Sequence, residues 1–429
     1  MATSLATDTP RALYPKLRPG PGRSAAEVTA NQRARLRGAV VKLVGERGYK
    51  GLTVRELSRL AGVSTRAFYE GFDNVEDCFA QAYREIIDRA LTSAVETPSR
   101  PDETLRDRLP VFFATLLEDP RAAGLVLVHA PTAGPTVRAR TRGADRALER
   151  FLENELACIG DHELTRSAVV RAAVPAAFQL ARTRLLPVSR QSPVKSTVEE
   201  FADWLLTFRR VSLGRTFTNG PMQPTFDPGS SERVIGIADD RLFLLAAVTR
   251  LAAREGYLKL TVPAIRREAG ISRRRFDEHF VGVNDCFLAA VERRLKLAAE
   301  RAASVGSWNE RWDLSVADAV RGFCIEVMQD KGLARLAFVD LLAAGAQGLE
   351  LQDRGLKGLA RRFRQMVPRP LRPSEVSAEA SVAAAHAIIA AEIEDARLGR
   401  IGRVVPRAVF LLLAPAMGAE RAEQLICAG

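Results

Sequence analysis

The chain has 429 residues and a formal net charge of +12, with a sequence pI of about 9.9. This length allows two to four domains, and the basic balance favours a polyanionic partner. The sequence is rich in Ala, Leu, Arg and Glu and poor in Tyr and Trp, which favours helix over strand. Its five cysteines form no CxxC pair, which argues against a disulfide framework and against a structural zinc site.

The ends and the apolar runs indicate where the protein is located. The first 16 residues lack the apolar core of a secretory signal. The longest apolar runs, such as 408–417, are far shorter than the roughly 20 residues of a membrane span. We therefore expect a soluble, reduced, intracellular protein without a membrane partner.

The first elements are an arm and a helix. Residues 1–26 contain four prolines and no hydrophobic periodicity, which predicts a flexible arm. The next segment has one apolar stripe at helical spacing, which predicts a first helix carrying Leu36, Val40, Leu43 and Val44 on one face.

A short helix and a sharp turn follow. Thr53 is predicted to be the N-cap of VRELSRLA, with Glu56 completing a capping box. The inward positions of this helix are expected to be Val54, Leu57 and Leu60. Gly62 supplies the left-handed residue that ends the helix, and Val63 is expected to pack into the core.

The next helix, TRAFYEGF, begins after Ser64, which is predicted to be its N-cap. Phe68 is expected to point inward, whereas Thr65, Arg66, Ala67 and Tyr69 face outward. A helix, a glycine turn and a short helix with small and basic exposed residues predict a helix-turn-helix.

The same pattern recurs 208 positions later. Residues 47–79 align without a gap with residues 255–287, and the shared positions include Gly62 with Gly270 and Phe68 with Phe276. The second copy repeats the first-helix stripe with Leu244, Val248 and Leu251, and it tolerates Pro263 in a first helical turn. Farther along, 125–151 resembles 336–363. We therefore predict an all-α protein of two tandem units.

The predicted division follows from these repeats and from a Pro-, Gly- and Ser-rich break. It comprises a flexible arm (1–26), a first helix-turn-helix domain (27–75), a first C-terminal helical regulatory domain (76–213), a linker (214–235), a second helix-turn-helix domain (236–283) and a second regulatory domain (284–429).

The pattern A-G-[VI]-S-x-x-x-F-[YD]-x-x-F resembles the DNA-binding domain of the tetracycline-repressor (TetR) family. The resemblance implies that Thr53 and Tyr69 hold phosphates and that Ser64, Thr65 and Arg66 face the major groove. The family usually opens the next helix with a lysine, but this chain has Asn74 and Val75 there.

In the second copy the resemblance implies that five residues form the contact set: Thr261, Ser272, Arg273, Arg274 and Arg275. Asp277 replaces the phosphate-facing aromatic residue, and a carboxylate there costs affinity for DNA. A module kept only for packing is the alternative for this copy.

No arrangement indicates catalysis. His129, His162, His279 and His386 have neither metal-ligand spacing nor a paired carboxylate, and no phosphate-binding glycine loop is present. We therefore expect no enzyme activity, no metal and no cofactor; any other bound group is unknown.

The function that follows is sequence-specific binding to double-stranded DNA, as a cytoplasmic, nucleoid-associated repressor that reads an asymmetric operator. The resemblance implies release by a small-molecule inducer. The alternative is a helical sensor or interaction protein with residual or single-module DNA binding.

We also predict that the two units pair within one chain as a pseudo-dimer, in a monomer or in a homodimer. The pairing helices are expected at about 197–213 and 404–425. Both segments carry apolar stripes, with Phe201, Leu205 and Phe208 in the first and Val405, Val409 and Leu412 in the second.

Overall fold

The computed structural model describes residues 24–100, 104–157, 163–186, 194–208, 239–305, 311–394 and 401–428. Within these ranges the chain is helical apart from turns and short connections, with no strand, which confirms the all-α class. Most of the predicted arm and the whole predicted linker lie outside the described residues.

The first half begins with the three helices of the predicted helix-turn-helix domain and continues through a helical bundle. Its helices are α1 (Ala25–Arg47), α2 (Val54–Ala61), α3 (Thr65–Gly71), α4 (Val75–Val95), α5 (Thr104–Leu117), α6 (Pro120–Gly124), α7 (Ala130–Thr132), α8 (Pro135–Ala157), α9 (Glu163–Leu180) and α10 (Val194–Thr207). Two π-helical segments, π1 (Leu125–His129) and π2 (Ala181–Leu185), follow α6 and α9 directly.

The second half repeats this order, with a π-helical segment at the position that matches π1. Its elements are α11 (Asp240–Glu255), α12 (Val262–Ala269), α13 (Arg273–His279), α14 (Val283–Val305), α15 (Trp312–Gln329), α16 (Lys331–Arg335), π3 (Leu336–Asp340), α17 (Leu341–Ala343), α18 (Ala346–Met366), α19 (Glu375–Glu394), α20 (Ile401–Met417) and α21 (Ala419–Ala428). Single 3₁₀ turns lie at Tyr257–Lys259 and Arg369–Leu371.

Caps and turns set the start and end of the short helices in both copies. The Thr53 hydroxyl oxygen accepts from the Glu56 amide at 3.3 Å, and the hydroxyl of Thr261 caps α12 in the same way. Gly62 and Gly270 end these helices with φ of 63° and 70°. A residue with a Cβ is strained at such φ values, so glycine is needed at both turns.

The predicted core of the first module is correct except at two positions. Leu57 is fully buried, but Leu60 is 37 % exposed and Ser58 is buried instead. The helical advance of about 100° per residue explains the error, because the inward stripe runs through 54, 57, 58 and 61 and leaves Leu60 on its flank. On α3, Ala67 is half-buried rather than outward-facing.

The two halves pack against each other through α9 and α10 of the first and α19 and α20 of the second. The most extensive contact joins α9 to α19, both of which are rich in buried alanines and therefore approach closely. The prediction named α10 and α20, which take part but touch each other much less. The large apolar side chains at 201–208 and 405–412 give a stronger sequence signal than the buried alanines of α9 and α19.

The aromatic side chains of α10 anchor this interface. Trp204 is buried and donates from Nε1 to the Ser381 hydroxyl oxygen at 2.9 Å. Phe201 stacks on Trp204, and Phe208 lies 5.7 Å from Phe410 of α20, measured between ring centroids. The core of the first half therefore continues into the second.

Three arginines of the first half make ion pairs across the interface with acidic residues of the second. Arg182 binds Asp353 through two hydrogen bonds of 2.6 Å, Arg184 binds Glu379, and Arg138 binds Glu394. In each of these pairs the first half supplies the arginine and the second half supplies the carboxylate.

Helix α19 is the one described helix long and apolar enough to cross a membrane by length and composition, a feature that the sequence analysis overlooked. Most of it is buried inside the protein. Its Glu379 carboxylate is buried and paired with Arg184, as expected of a core helix whose charge is compensated.

Candidate nucleic-acid interface

Helix α3 carries most of the predicted contact residues of the first module. Phe68 is fully buried and packs near Phe72, with ring centroids 5.6 Å apart, and this fixes the rotation of the short helix. The rotation leaves Thr65, Arg66 and Tyr69 exposed, with Tyr69 62 % accessible. The structure therefore brings these three predicted residues together on one solvent-facing surface.

Helix α1 holds the turn before α3 and the end of α3. The Arg35 guanidinium donates to the carbonyl oxygens of Ala61 and Gly62, and Arg33 donates to the carbonyl of Glu70 at 3.3 Å. These carbonyls belong to helix ends, which lack intrahelical partners. Two basic side chains thus serve the scaffold instead of projecting toward a ligand.

The serines and threonines of the predicted contact set have structural roles as well. Ser64 accepts from the Ala67 amide at 3.1 Å, and Ser272 accepts from the Arg275 amide at 3.4 Å. Asn74, at the position of the usual family lysine, caps α4 by accepting from the Asp77 amide at 2.9 Å. These side chains fix the starts of α3, α13 and α4.

The exposed arginine of α3, Arg66, forms only a weak ion pair. The Arg66 side chain is 90 % exposed and its Nε lies 3.0 Å from Glu70 Oε1. Exposed pairs of this kind contribute at most about 1 kcal/mol. Arg66 can therefore exchange Glu70 for a base edge or a phosphate at little cost.

The exposed arginines of α13 are each paired with a carboxylate of the second module. On α13, Arg273 pairs with Asp277 at 2.7 Å and Arg274 pairs with Glu278 at 3.2 Å. Arg275 pairs with Asp240 at the start of α11. All three predicted arginines are exposed, as expected, but each one already has a carboxylate partner.

The turn of the second module is held differently. Phe243 stands where the repeat has Arg35, and its ring is 42 % exposed. Arg266 of α12 instead donates to the Ile271 carbonyl at 3.3 Å. The backbone geometry is kept although the side chain that supports it has moved to another helix.

One pair of arginines was missed by the sequence analysis. Arg59 and Arg267 occupy equivalent positions on α2 and α12, and both are exposed. Neither has an ion pair or hydrogen bond within the part of the chain that the structure describes. Extending the repeat alignment to charged positions would have found them, because they are 208 residues apart.

Each module contacts the π-helical segment of its own half. In π1, His129 lies against Gly48, where an added Cβ would be 3.8 Å from the imidazole. At π3, Asp340 accepts from the Tyr257 amide at 3.3 Å and pairs with Arg335. Burial raises the pKa of Asp340 and lowers that of His129. These contacts join each helix-turn-helix module to the helical bundle of its own half.

The modules also meet near these contacts. Lys50 of the first module donates to the Ala343 carbonyl at 3.3 Å, and its ammonium lies 5.9 Å from the ring centroid of Tyr257.

The remaining titratable candidates do not form a second site. Burial raises the pKa of the Cys286 thiol to about 12, and Cys78 is equally buried, so both cysteines pack in the core. His386 stacks on Phe338, and burial lowers its pKa to about 4. His279 is exposed on α13, and His162 lies outside the described residues. No group of three metal-ligating side chains occurs among the described residues.

Residues 37–82, which include α2, α3 and their supporting contacts, match the family described as bacterial regulatory proteins, tetR family. The first helix-turn-helix module is a TetR-family DNA-binding domain. The chain is thus an all-α DNA-binding regulator with a TetR-type module at residues 37–82.

Solved structures similar to this chain include a fatty acid degradation regulator, FadR, from Bacillus halodurans. That protein shares 14 % identity over 43 % of this chain and 99 % of its own, with a TM-score of 0.34. A transcriptional regulator from Rhodococcus sp. Rha1 shares 20 % identity over 41 % of this chain and 95 % of its own, with a TM-score of 0.34. FadR from Bacillus subtilis, solved in complex with stearoyl-CoA, shares 17 % identity over 40 % and 96 %, with a TM-score of 0.33. No curated protein matches the chain.

Proposed function

We propose that this protein is a cytoplasmic transcriptional repressor in which two non-identical helix-turn-helix modules of one chain read an asymmetric operator. The observation that carries the proposal is the pair of exposed, chemically different helices α3 and α13 on matching scaffolds. Two identical recognition helices read identical half-sites, so different helices read different half-sites.

In this proposal the half-sites share one feature. Arg66 and Arg274 occupy equivalent positions, and both side chains are 90 % exposed. An arginine at such a position binds guanine O6 and N7 through two hydrogen bonds. Tyr69 and the threonines at 53 and 261 contact phosphates, which position the protein without specifying a sequence.

Selection from random DNA followed by binding assays tests this proposal. We expect a non-palindromic consensus, with Arg66→Ala relaxing one half-site and Arg274→Ala the other, each by about 1–3 kcal/mol. Arg361→Ala, an exposed change on α18, is the matched control. A perfect palindrome would contradict the two-reader arrangement.

A second candidate is reading by the first module alone. It is favoured by the three carboxylates that neutralise Arg273, Arg274 and Arg275. In that case Arg274→Ala leaves the affinity for every base unchanged, whereas Arg66→Ala and Tyr69→Phe still weaken binding. The same experiment therefore separates the two candidates.

Pairing within the chain is part of the proposal. The interface of α9, α10, α19 and α20 joins the halves, and a covalent link gives an effective concentration of about millimolar. We expect a particle of 46.9 kDa by light scattering at micromolar concentration. A particle of twice that mass at all concentrations would contradict a monomer.

We further propose that a small ligand in a helical regulatory domain controls DNA binding. The contacts of π1 and π3 with the reading modules support a mechanical connection. A ligand shifts DNA affinity only as far as it binds two states differently. Ligands that raise thermal stability without ever changing operator affinity would contradict an inducer role.

A further inference from the structure

A groove of about 730 Å³ lies along α4 in the first half. Besides residues of α4, the groove is lined by Arg37 and Val41 of α1, Ala122 of α6 and Arg140 of α8. Helix α1 belongs to the helix-turn-helix module, whereas α6 and α8 belong to the helical bundle. The groove therefore spans the junction between the reading module and the bundle.

Four guanidinium groups line this groove, and two of them have carboxylate partners. Arg37 pairs with Glu85, and Arg140 Nη1 lies 3.7 Å from Asp77 Oδ1. Arg84 and Arg89 also line the groove, and within the described residues neither forms an ion pair. One further carboxylate, that of Asp88, faces the same space.

The two uncommitted arginines are the feature that needs a partner. The Nε of Arg89 is buried and has no hydrogen-bond acceptor among the described residues. A buried donor without an acceptor destabilises the fold, and more so when it is charged. Arg84 reaches across to α8, where an added Cβ at Gly143 would lie 3.6 Å from its Nη2, so the missing side chain leaves its head group room.

We propose that this groove binds a small organic or inorganic anion with at least two acidic groups, carboxylate or phosphate, through Arg84 and Arg89. Guanidinium groups bind both acid types through paired, charge-assisted hydrogen bonds. The volume is in the usual range for small-molecule sites. The occupant contacts both the first helix-turn-helix module and its bundle, because Arg37 of α1 and Arg140 of α8 both line the groove.

The second half lacks the uncommitted pair. Continuing the 208-residue offset along α14 places Glu292 at the position of Arg84 and Leu297 at that of Arg89. The anion therefore binds the first half alone. Binding of the anion does not depend on the proposed DNA function. Only an effect of the anion on DNA binding rests on that proposed function.

Calorimetry on the full chain without DNA tests the site, with citrate as the carboxylate probe and pyrophosphate as the phosphate probe. We expect one binding event per chain for at least one probe, measured against sodium chloride of equal ionic strength. Arg89→Gln and, independently, Arg84→Gln should each weaken binding at least tenfold. Arg361→Gln, an exposed change on α18, and Glu292→Gln, at the matching position of the second half, should leave binding unchanged.

Two outcomes would overturn the inference: heats equal to those of chloride, or binding that survives both Arg84→Gln and Arg89→Gln. Because Arg84 is exposed, its variant keeps the test valid if Arg89→Gln impairs folding. Anion binding with no DNA binding at all would contradict the proposed function and leave this site standing. DNA binding without anion binding would do the reverse.

Discussion

The two helix-turn-helix modules share a skeleton and differ at their surfaces. The glycine turns, the capping threonines and the buried phenylalanines at 68 and 276 have the same geometry in both. The exposed positions differ, with Tyr69 in one module and the paired Asp277 in the other. A few buried and turn residues therefore determine this fold, and the outward positions are free to change what the module binds.

The largest effect is expected from removing the buried phenylalanine of each module, which tests whether the two cores contribute equally to stability. Phe68→Ala and Phe276→Ala each remove a fully buried ring, and each should lower the free energy of unfolding by about 3–5 kcal/mol. Denaturant unfolding followed by circular dichroism measures both. Val281→Ala, on a side chain that is 96 % exposed, is the control. If one phenylalanine costs less than 1 kcal/mol, the modules are not equivalent.

The second prediction concerns Arg182, which belongs to the first half and contacts both halves. Pro131 has no amide hydrogen, so the Leu127 carbonyl lacks its ordinary helical donor, and Arg182 Nη1 donates to it at 3.0 Å. Arg182→Met removes this donor and leaves the Asp353 carboxylate without its partner.

We expect Arg182→Met to destabilise the protein by about 3 kcal/mol, measured by thermal unfolding. Adding Asp353→Leu should restore much of the loss, since the uncompensated charge is then gone. An unchanged melting temperature in the single variant would show that the halves do not depend on this link.

The third prediction concerns a pair that only the first half contains, Tyr83 and Asp145. The second half has Val291 and Lys357 at the equivalent positions. Tyr83 donates its hydroxyl hydrogen to Asp145 Oδ1 at 2.6 Å, and burial raises the pKa of Asp145 to about 6. The fold thus favours the neutral carboxyl, and that stabilisation is lost as pH rises from about 4 through 6.

Asp145→Asn should therefore raise the stability at pH 8 by up to about 2 kcal/mol and have little effect at pH 4. Melting temperatures at the two pH values measure the difference. Asp318→Asn, on an aspartate of an exposed pair with Arg321, is the control. A variant that is less stable than the parent at pH 8 would show that the charged form is preferred.

The smallest effect concerns the recognition surfaces themselves. Asp277→Asn releases Arg273 from an exposed pair, which should tighten DNA binding by less than 1 kcal/mol. Glu70→Gln releases Arg66 in the same way in the first module. Fluorescence anisotropy with labelled operator DNA measures both changes. Equal gains would indicate that both modules read DNA, and a gain from Glu70→Gln alone would favour single-module reading.

The sequence predicted the helical class and both turn geometries because these depend on local spacing. Gly62 and Gly270, for instance, follow their capping threonines by nine residues in each copy. The ion pair of Arg275 with Asp240 was not predicted, since its partners lie on different helices and are far apart in the chain. The groove along α4 draws residues from four helices and leaves no pattern in the sequence.

The interface was only half predicted for a related reason. The alanines of α9 at 172, 173, 176 and 177 are buried, but they form no strong hydrophobic stripe. A small side chain lets two helices approach closely and adds little apolar area. Asp353 and Glu379 are charged, and the sequence alone does not show that they are buried. Their burial becomes apparent only when Arg182 and Arg184 of the other half are brought opposite them.

The polarity of these ion pairs has a consequence for how the protein is made. Arg184 and Glu379 are 195 positions apart, so at about 5–20 residues per second the ribosome completes the acidic side about 10–40 seconds after the basic side. During that interval the first half presents Trp204 and its arginines without their cover. A second copy of the first half offers Thr141 at the position of Asp353, so it cannot compensate the charge of Arg182 as the second half of the chain does.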